Sequence, residues 1–206
     1  MQKPKIVIAV IGCLIVVLWI ASIVNRARYE AMRMEILGRL SHLRLGLVNY
    51  EITNGELPSI NLFEEEQTLG DHWMVSILQI IEQSELHSKL KLDVQWSDPQ
   101  NVRAAKSYGS FHEFATRFGY IVCPLIAEES IWNPVDGAPI GRIDDNPGTI
   151  LLVAIPCYEA EAFKVPFVRK PQLLKFLRNG QKVFYIRCDR EYGQVSEVAG
   201  ELLFAL

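Results

Sequence analysis

The side chains able to do chemistry in this 206-residue chain are few and scattered. Its four histidines, His42, His72, His87 and His112, stand in separate segments, and its four cysteines, Cys13, Cys123, Cys157 and Cys188, are spread just as widely. Zinc needs closely spaced pairs of the CxxC or HxxxH type, and neither occurs; His112-Glu113 lacks the second histidine of a zinc-protease helix. Cys123 with a histidine would make a nucleophile and its base, but a cysteine in a β-prone run directly before Pro124 is of the kind that packs rather than reacts. There is no GxSxG elbow and no glycine loop to cradle a phosphate. The acidic run at 64–66 reads as a solvated face. We therefore expect no catalytic residue, no metal, no cofactor and no small-molecule substrate.

The thiols carry a separate question. Cys13 sits inside an apolar run and reads as a small apolar residue. Cys123, Cys157 and Cys188 are three, so an oxidising compartment would allow one disulfide and one free thiol, and spacing does not choose the pair. The formal net charge of −3 becomes −5 when the first 25 residues, which hold Lys3, Lys5 and no acid, are set aside. That balance gives no support to nucleic-acid binding.

The elements that would position these residues start with a long helix. Residues 6–24 carry no charge and no proline, and at about 1.5 Å per residue they span a hydrocarbon core of roughly 30 Å. Ile6, Val10, Leu14, Val17 and Val24 would face lipid, with Trp19 near one interface. A cleavable signal has a shorter apolar stretch and a small-residue cleavage site; here Asn25, Arg26 and Arg28 follow, so a retained anchor is expected. Lys3 and Lys5 on one side balance Arg26, Arg28 and Arg33 on the other, so charge does not orient the span.

Beyond the span the pattern becomes one-sided. Ile36, Leu40, Leu43, Leu47 and Tyr50 recur at spacings of three and four, widened by Leu37 and Val48, while Arg33, Arg39 and Arg44 fall mostly off this stripe. Asn54-Gly55 ends the helix and Pro58 prevents its resumption. The organisation expected is a flank at 1–5, a transmembrane helix at 6–24, an amphipathic stem at 25–53 and one domain at 54–206.

Within that domain a helix capped by Asp71 is expected from about 72 to 90, packed on the stem through Met74, Ile77, Leu78 and Ile81. Asp98 and Pro99 open a short helix over 102–106, and Trp96 reads as a core plug. Residues 120–123 form a strand that Pro124 must end. Turn dipeptides crowd 127–148, which reads as a long surface loop. The run 149–155 is a central strand, 171–179 a short helix, and 182–188 with 194–198 a hairpin joined by five residues; the tail 202–206 is an edge strand. This order gives an α+β fold with a long N-terminal helix and an antiparallel sheet.

Several stretches together resemble a pilin-like family of unknown function, expanded in planctomycete bacteria and related to type II secretion pseudopilins. They are Arg26 to Ala31, Arg33-Met34, Leu40, Leu43, Leu45, Leu47 and Asn49-Tyr50, Gly55 with Leu57-Pro58, Trp73-Met74-Val75, Leu78, Glu82-Gln83, Leu86, the Trp96 to Asn101 segment with Pro99, and Cys123-Pro124. Toward the C-terminus, 143–153 and Lys170-Pro171-Gln172-Leu173 are similar to further family segments. The chain departs from the pattern in three places. Met1 to Lys5 lacks a Gly-Phe cleavage site and puts Lys3 where an internal glutamate would fall; Ile36 replaces a stem cysteine; and a longer 188–193 connection replaces an Ala-Asp-Gly turn.

The resemblance implies a pilin-like fold, a cytoplasmic N-terminus and an extracytoplasmic domain on the inner membrane. It implies a structural or interaction role, with the bilayer, like pilin-like subunits or an envelope protein as partners. The departures make an uncleaved anchor the expectation. Monomeric display of a binding module on that anchor is the alternative.

Overall fold

The structure is a computed structural model and describes residues 3–60, 68–95, 98–108, 119–156, 167–198 and 201–205. Helix α1 runs unbroken from Lys3 to Asn54. The chain divides into two units, Met1–Glu35 and Ile36–Leu206, so the helix belongs to both. In the first unit the apolar side chains from Ile11 to Val24 are exposed on every side, Leu18 to 68% and Trp19 to 66%. In the second, Ile36, Leu37, Leu40, Leu43 and Leu47 are buried, which is the stripe expected from their spacing. Gly55 ends the helix in the left-handed region at φ 86°, its amide donating to the Glu51 carbonyl at 2.8 Å.

The helical region after the stem differs from expectation. One helix over 72–90 is replaced by α2, Trp73–Leu78, and α3, Ser84–Lys89. The break is made at Glu82, whose φ is 64°, while the Gln83 amide donates to the Leu78 carbonyl at 2.8 Å. That is the six-to-one bond of a Schellman ending, with a glutamate where glycine is usual. The cap of α2 is His72, not Asp71: its Nδ1 accepts from the Met74 amide at 3.2 Å. The turn after α2 lies so close to the stem that a Cβ at Gly46 would stand 2.6 Å from Ile81 Cγ2. Helix α4, Pro99–Tyr108, opens on Pro99 as expected and runs longer than the spacing suggested.

The sheet is antiparallel with order β1-β3-β5-β6-β7, comprising β1 Tyr120–Cys123, β3 Ile150–Pro156, β5 Val183–Arg187, β6 Tyr192–Val198 and β7 Glu201–Ala205. Strand β3, flanked by β1 and β5, is buried from Ile150 through Ile155, which fits its continuous apolar sequence. Strand β1 ends at Cys123, as Pro124 requires. A parallel pair, β2 Leu125–Ile126 with β4 Val168–Arg169, had no sequence signal, each strand being only two residues long. Helix α5, Lys170–Arg178, covers the stretch read as a short helix.

The β5–β6 connection is shorter than expected. Gly193 lies inside β6 opposite Tyr185, and only Cys188, Asp189 and Arg190 lie between Arg187 and Glu191, the Arg187 amide donating to the Glu191 carbonyl at 2.7 Å. Arg190 takes φ 77°, the left-handed position of a three-residue hairpin loop.

Candidate functional site

The polar groups buried on the stem define the most organised site among the described residues. Arg44 and Glu51 lie two helical turns apart on the core side of α1, and both are buried, Glu51 to 3% exposure. Arg44 Nε donates to the Cys188 carbonyl at 3.0 Å, and its Nη2 donates to the same oxygen. Glu51 Oε1 accepts from the Ile143 amide at 3.1 Å, with Arg142 Nε 3.9 Å away. Just beyond the helix, the Pro58 carbonyl accepts from Trp132 Nε1 at 3.1 Å, and the Ile60 amide donates to the Gly137 carbonyl at 2.9 Å.

These contacts turn residues 127–148 from a loop by composition into an ordered ribbon. Asn133 N to Ala138 O (2.8 Å), Gly137 N to Asn133 O (2.9 Å) and Ile140 N to Ile131 O (2.8 Å) close it on itself, and Trp132 is fully buried beneath it. At its tip Val135 is 82% exposed. The stem therefore positions the β5–β6 turn through Arg44 and the ribbon through Glu51.

The electrostatics suit positioning rather than reaction. Burial, then the charge of Arg190, lowers the Arg44 pKa, but a guanidinium remains a cation. Burial pushes the Cys188 thiol up, against the Thr149 hydroxyl at 3.3 Å and the nearby Arg44 charge, so it is held as the unreactive thiol. Burial alone lowers His72 to about 4, so it caps α2 as neutral imidazole. Among the described residues no three His, Cys, Asp or Glu side chains gather as a metal would require.

The sequence-derived residues do not converge on one place. Ile6 and Val10 lie in α1, and Leu14, Val17, Trp19 and Val24 are exposed along it. Asn49 and Tyr50 close the stem, their carbonyls accepting from Thr53 Oγ1 (2.8 Å) and Asn54 Nδ2 (2.9 Å). Pro58 belongs to the ribbon contact, Trp73 is buried in α2, and Glu82 is the exposed left-handed residue after it. Pro99 opens α4; Asn101, fully buried, bonds the Lys91 amide at 2.8 Å, the Lys91 carbonyl at 3.0 Å and the Gln95 carbonyl at 3.2 Å. Trp96 and Cys157 lie outside the described residues.

Cys123 and Cys188 are buried and outside any disulfide. Cys123 pairs with Val153, which pairs with Tyr185 of β5, and Cys188 follows β5. Two strand spacings of about 4.8 Å exceed the reach of a disulfide, so these two thiols do not form a pair with each other. Pro124 passes its carbonyl to the Val168 amide at 2.9 Å and so starts the β2–β4 pairing.

A family model described as a protein of unknown function (DUF1559) matches residues 25–128, just over half of the chain. The chain belongs to this family. The DUF1559 match begins on the stem and ends at the start of the ribbon, so it takes in Arg44, Glu51, Asn101 and Cys123. No curated protein and no solved structure matches the chain.

Arg44, Glu51 and Trp132 were missed as organising residues. Arg44 falls four residues after Leu40, and Glu51 four after Leu47, so both sit on the edge of the buried stripe; charge, which usually marks a solvated face, argued the other way. Trp132 had no local signal, because its partner lies 74 residues away.

Proposed function

We propose that this DUF1559 protein is a single-pass membrane protein whose helix α1 both anchors it and serves as the stem of a pilin-like, non-catalytic domain. One observation carries the reading. The same helix exposes apolar side chains on every side from Ile11 to Val24 and buries only one stripe from Ile36 to Leu47. An all-round apolar surface of this size has a stable place in a bilayer and none in water. The first half lies in the inner membrane with the N-terminus cytoplasmic, and the domain stands outside. Like subunits, packing helix against helix in the bilayer as in pseudopilin assemblies, are the partners this arrangement suits. The test is crosslinking in cells of single cysteines placed in turn at each position from Leu14 to Ile20, in a chain whose own Cys13 is replaced by serine. Homomeric or pilin-directed adducts with helical periodicity are expected, and their absence at every position would remove the assembly role.

The ordered ribbon supports a second reading, an anchored module that binds an extracytoplasmic partner around Val135. Replacing the anchor by an unrelated transmembrane helix separates the two. Function that survives the exchange belongs to the ribbon and domain, and function that is lost belongs to the anchor helix.

A further inference from the structure

We infer that Arg26 and Arg28 form a collar on α1 that binds the headgroup phosphate of an anionic phospholipid. The inference rests on the membrane-spanning reading of the helix. The apolar segment ends at Val24, and at 1.5 Å per residue Arg26 and Arg28 stand about 3 and 6 Å further along the axis. Half the difference between a hydrocarbon core of about 30 Å and a whole bilayer of 40–45 Å gives a headgroup layer of roughly 5–7 Å. Both guanidiniums therefore fall at the depth of lipid phosphate. At about 100° per residue, Arg28 is roughly 200° around the helix from Arg26, so the two address lipids on opposite sides.

The pairing of the neighbouring charges singles these two residues out. The next acid along the helix, Glu30, has its Oε2 3.9 Å from Arg33 Nη1. Among the described residues no carboxylate pairs with Arg26 or Arg28, and both are exposed. Arg33, although a third nearby cation, is already matched. Arginine is suited to this site because its planar fork binds a phosphate through two parallel hydrogen bonds, which a lysine does not. Beside a surface as anionic as a cytoplasmic leaflet a basic residue is worth about fivefold in partitioning, so two give roughly thirtyfold; in the orientation proposed above the collar faces the outer leaflet of the inner membrane, and an anionic phospholipid on that side is the one it holds.

The test uses the full chain in neutral detergent micelles. Native mass spectrometry counts bound lipid as phosphatidylglycerol and phosphatidylcholine are titrated. The wild-type chain is expected to retain phosphatidylglycerol in preference to phosphatidylcholine by tenfold or more. Arg26→Gln or Arg28→Gln alone lowers that preference about fivefold and the two together abolish it, whereas Arg33→Gln, which changes the net charge by the same amount as either single change, keeps it. Equal retention of the two lipids by the wild type would overturn the collar. So would an Arg33→Gln loss as large as that of the single collar variants, which would mean diffuse charge rather than a site. Displacement of phosphatidylglycerol by millimolar inorganic phosphate would overturn the lipid assignment. Failure of the spanning reading looks different: the chain would stay soluble without detergent and carry no lipid of either kind.

Discussion

The two halves of helix α1 share one backbone conformation and obey two different solvents. From Ile11 to Val24 every direction around the helix is apolar and exposed. From Ile36 to Ile52 one side is sealed under protein, and the other carries isolated exposed residues such as Leu45 and Ile52. What differs is the means of covering apolar surface, since helix propensity is satisfied in both. The second half is covered by its own domain, with Ile81 in the turn after α2 pressed against Gly46. The first half is covered by nothing among the described residues, which is why a bilayer enters the functional reading.

The largest expected effect comes from attacking that first half. Leu14→Arg with Val17→Arg places two cations within the span, each costing about 2.5–3.5 kcal/mol near a bilayer centre. Carbonate extraction should then release the chain from membranes that retain the wild type, while the domain's thermal transition stays in place. Release of the wild type as well would erase the contrast between the halves.

The converse substitution belongs in the stem. Leu43 is fully buried, so Leu43→Ala should lower domain stability by about 2–5 kcal/mol and leave membrane retention unchanged. Chemical denaturation of the domain reads the loss. A change below 1 kcal/mol would mean that the domain does not cover this stripe.

The cover over the stem also responds to pH through His72. Its folded pKa of about 4 lies below the usual 6.5, so above pH 6.5 both folded and unfolded chains are neutral there and nothing is lost. As pH falls through 6.5 the unfolded chain takes up a proton that the folded chain refuses. Stability therefore declines from about pH 6.5 and levels off near 4, by up to about 3 kcal/mol. His72→Asn keeps an acceptor for the Met74 amide and removes this slope. Melting curves of both proteins between pH 7 and 4 that run parallel would refute the burial of His72.

How much of this was legible beforehand follows the range of each interaction. Leu40, Leu43 and Leu47 announce themselves because helical burial repeats every three or four residues, and Pro124 and Gly55 stop their elements by local backbone chemistry. The α+β order and the central β3 were legible for the same reason. Arg44 was not, because its partner is a carbonyl 144 residues away, and a local pattern treats arginine as surface. Asn101 stood out through family resemblance, but only the fold shows why: its amide joins three backbone groups of 91–95. The ribbon had the composition of a loop, and its order comes from Trp132 and Glu51, neither of which is a turn residue.

The break after α2 was illegible for a related reason, and it yields the smallest prediction. Glu82 and Gly55 occupy the same left-handed region at the ends of helices, φ 64° and 86°, yet only one is glycine. A side chain there costs roughly 1–2 kcal/mol, partly offset because glycine loses about 0.5–1 kcal/mol more chain entropy on folding. Glu82→Gly should therefore stabilise the domain by about 0.5 kcal/mol, a rise in melting temperature of about 1–2 °C. Gly55→Ala should lower stability by about 1 kcal/mol, all of it from backbone conformation, since no atom lies within 4 Å of the added Cβ. The two substitutions have opposite signs because each end already holds the conformation that glycine prefers. If Glu82→Gly destabilised instead, the exposed carboxylate would be contributing more than its backbone strain costs, and the cover over the stem would depend on a side chain as well as on a turn.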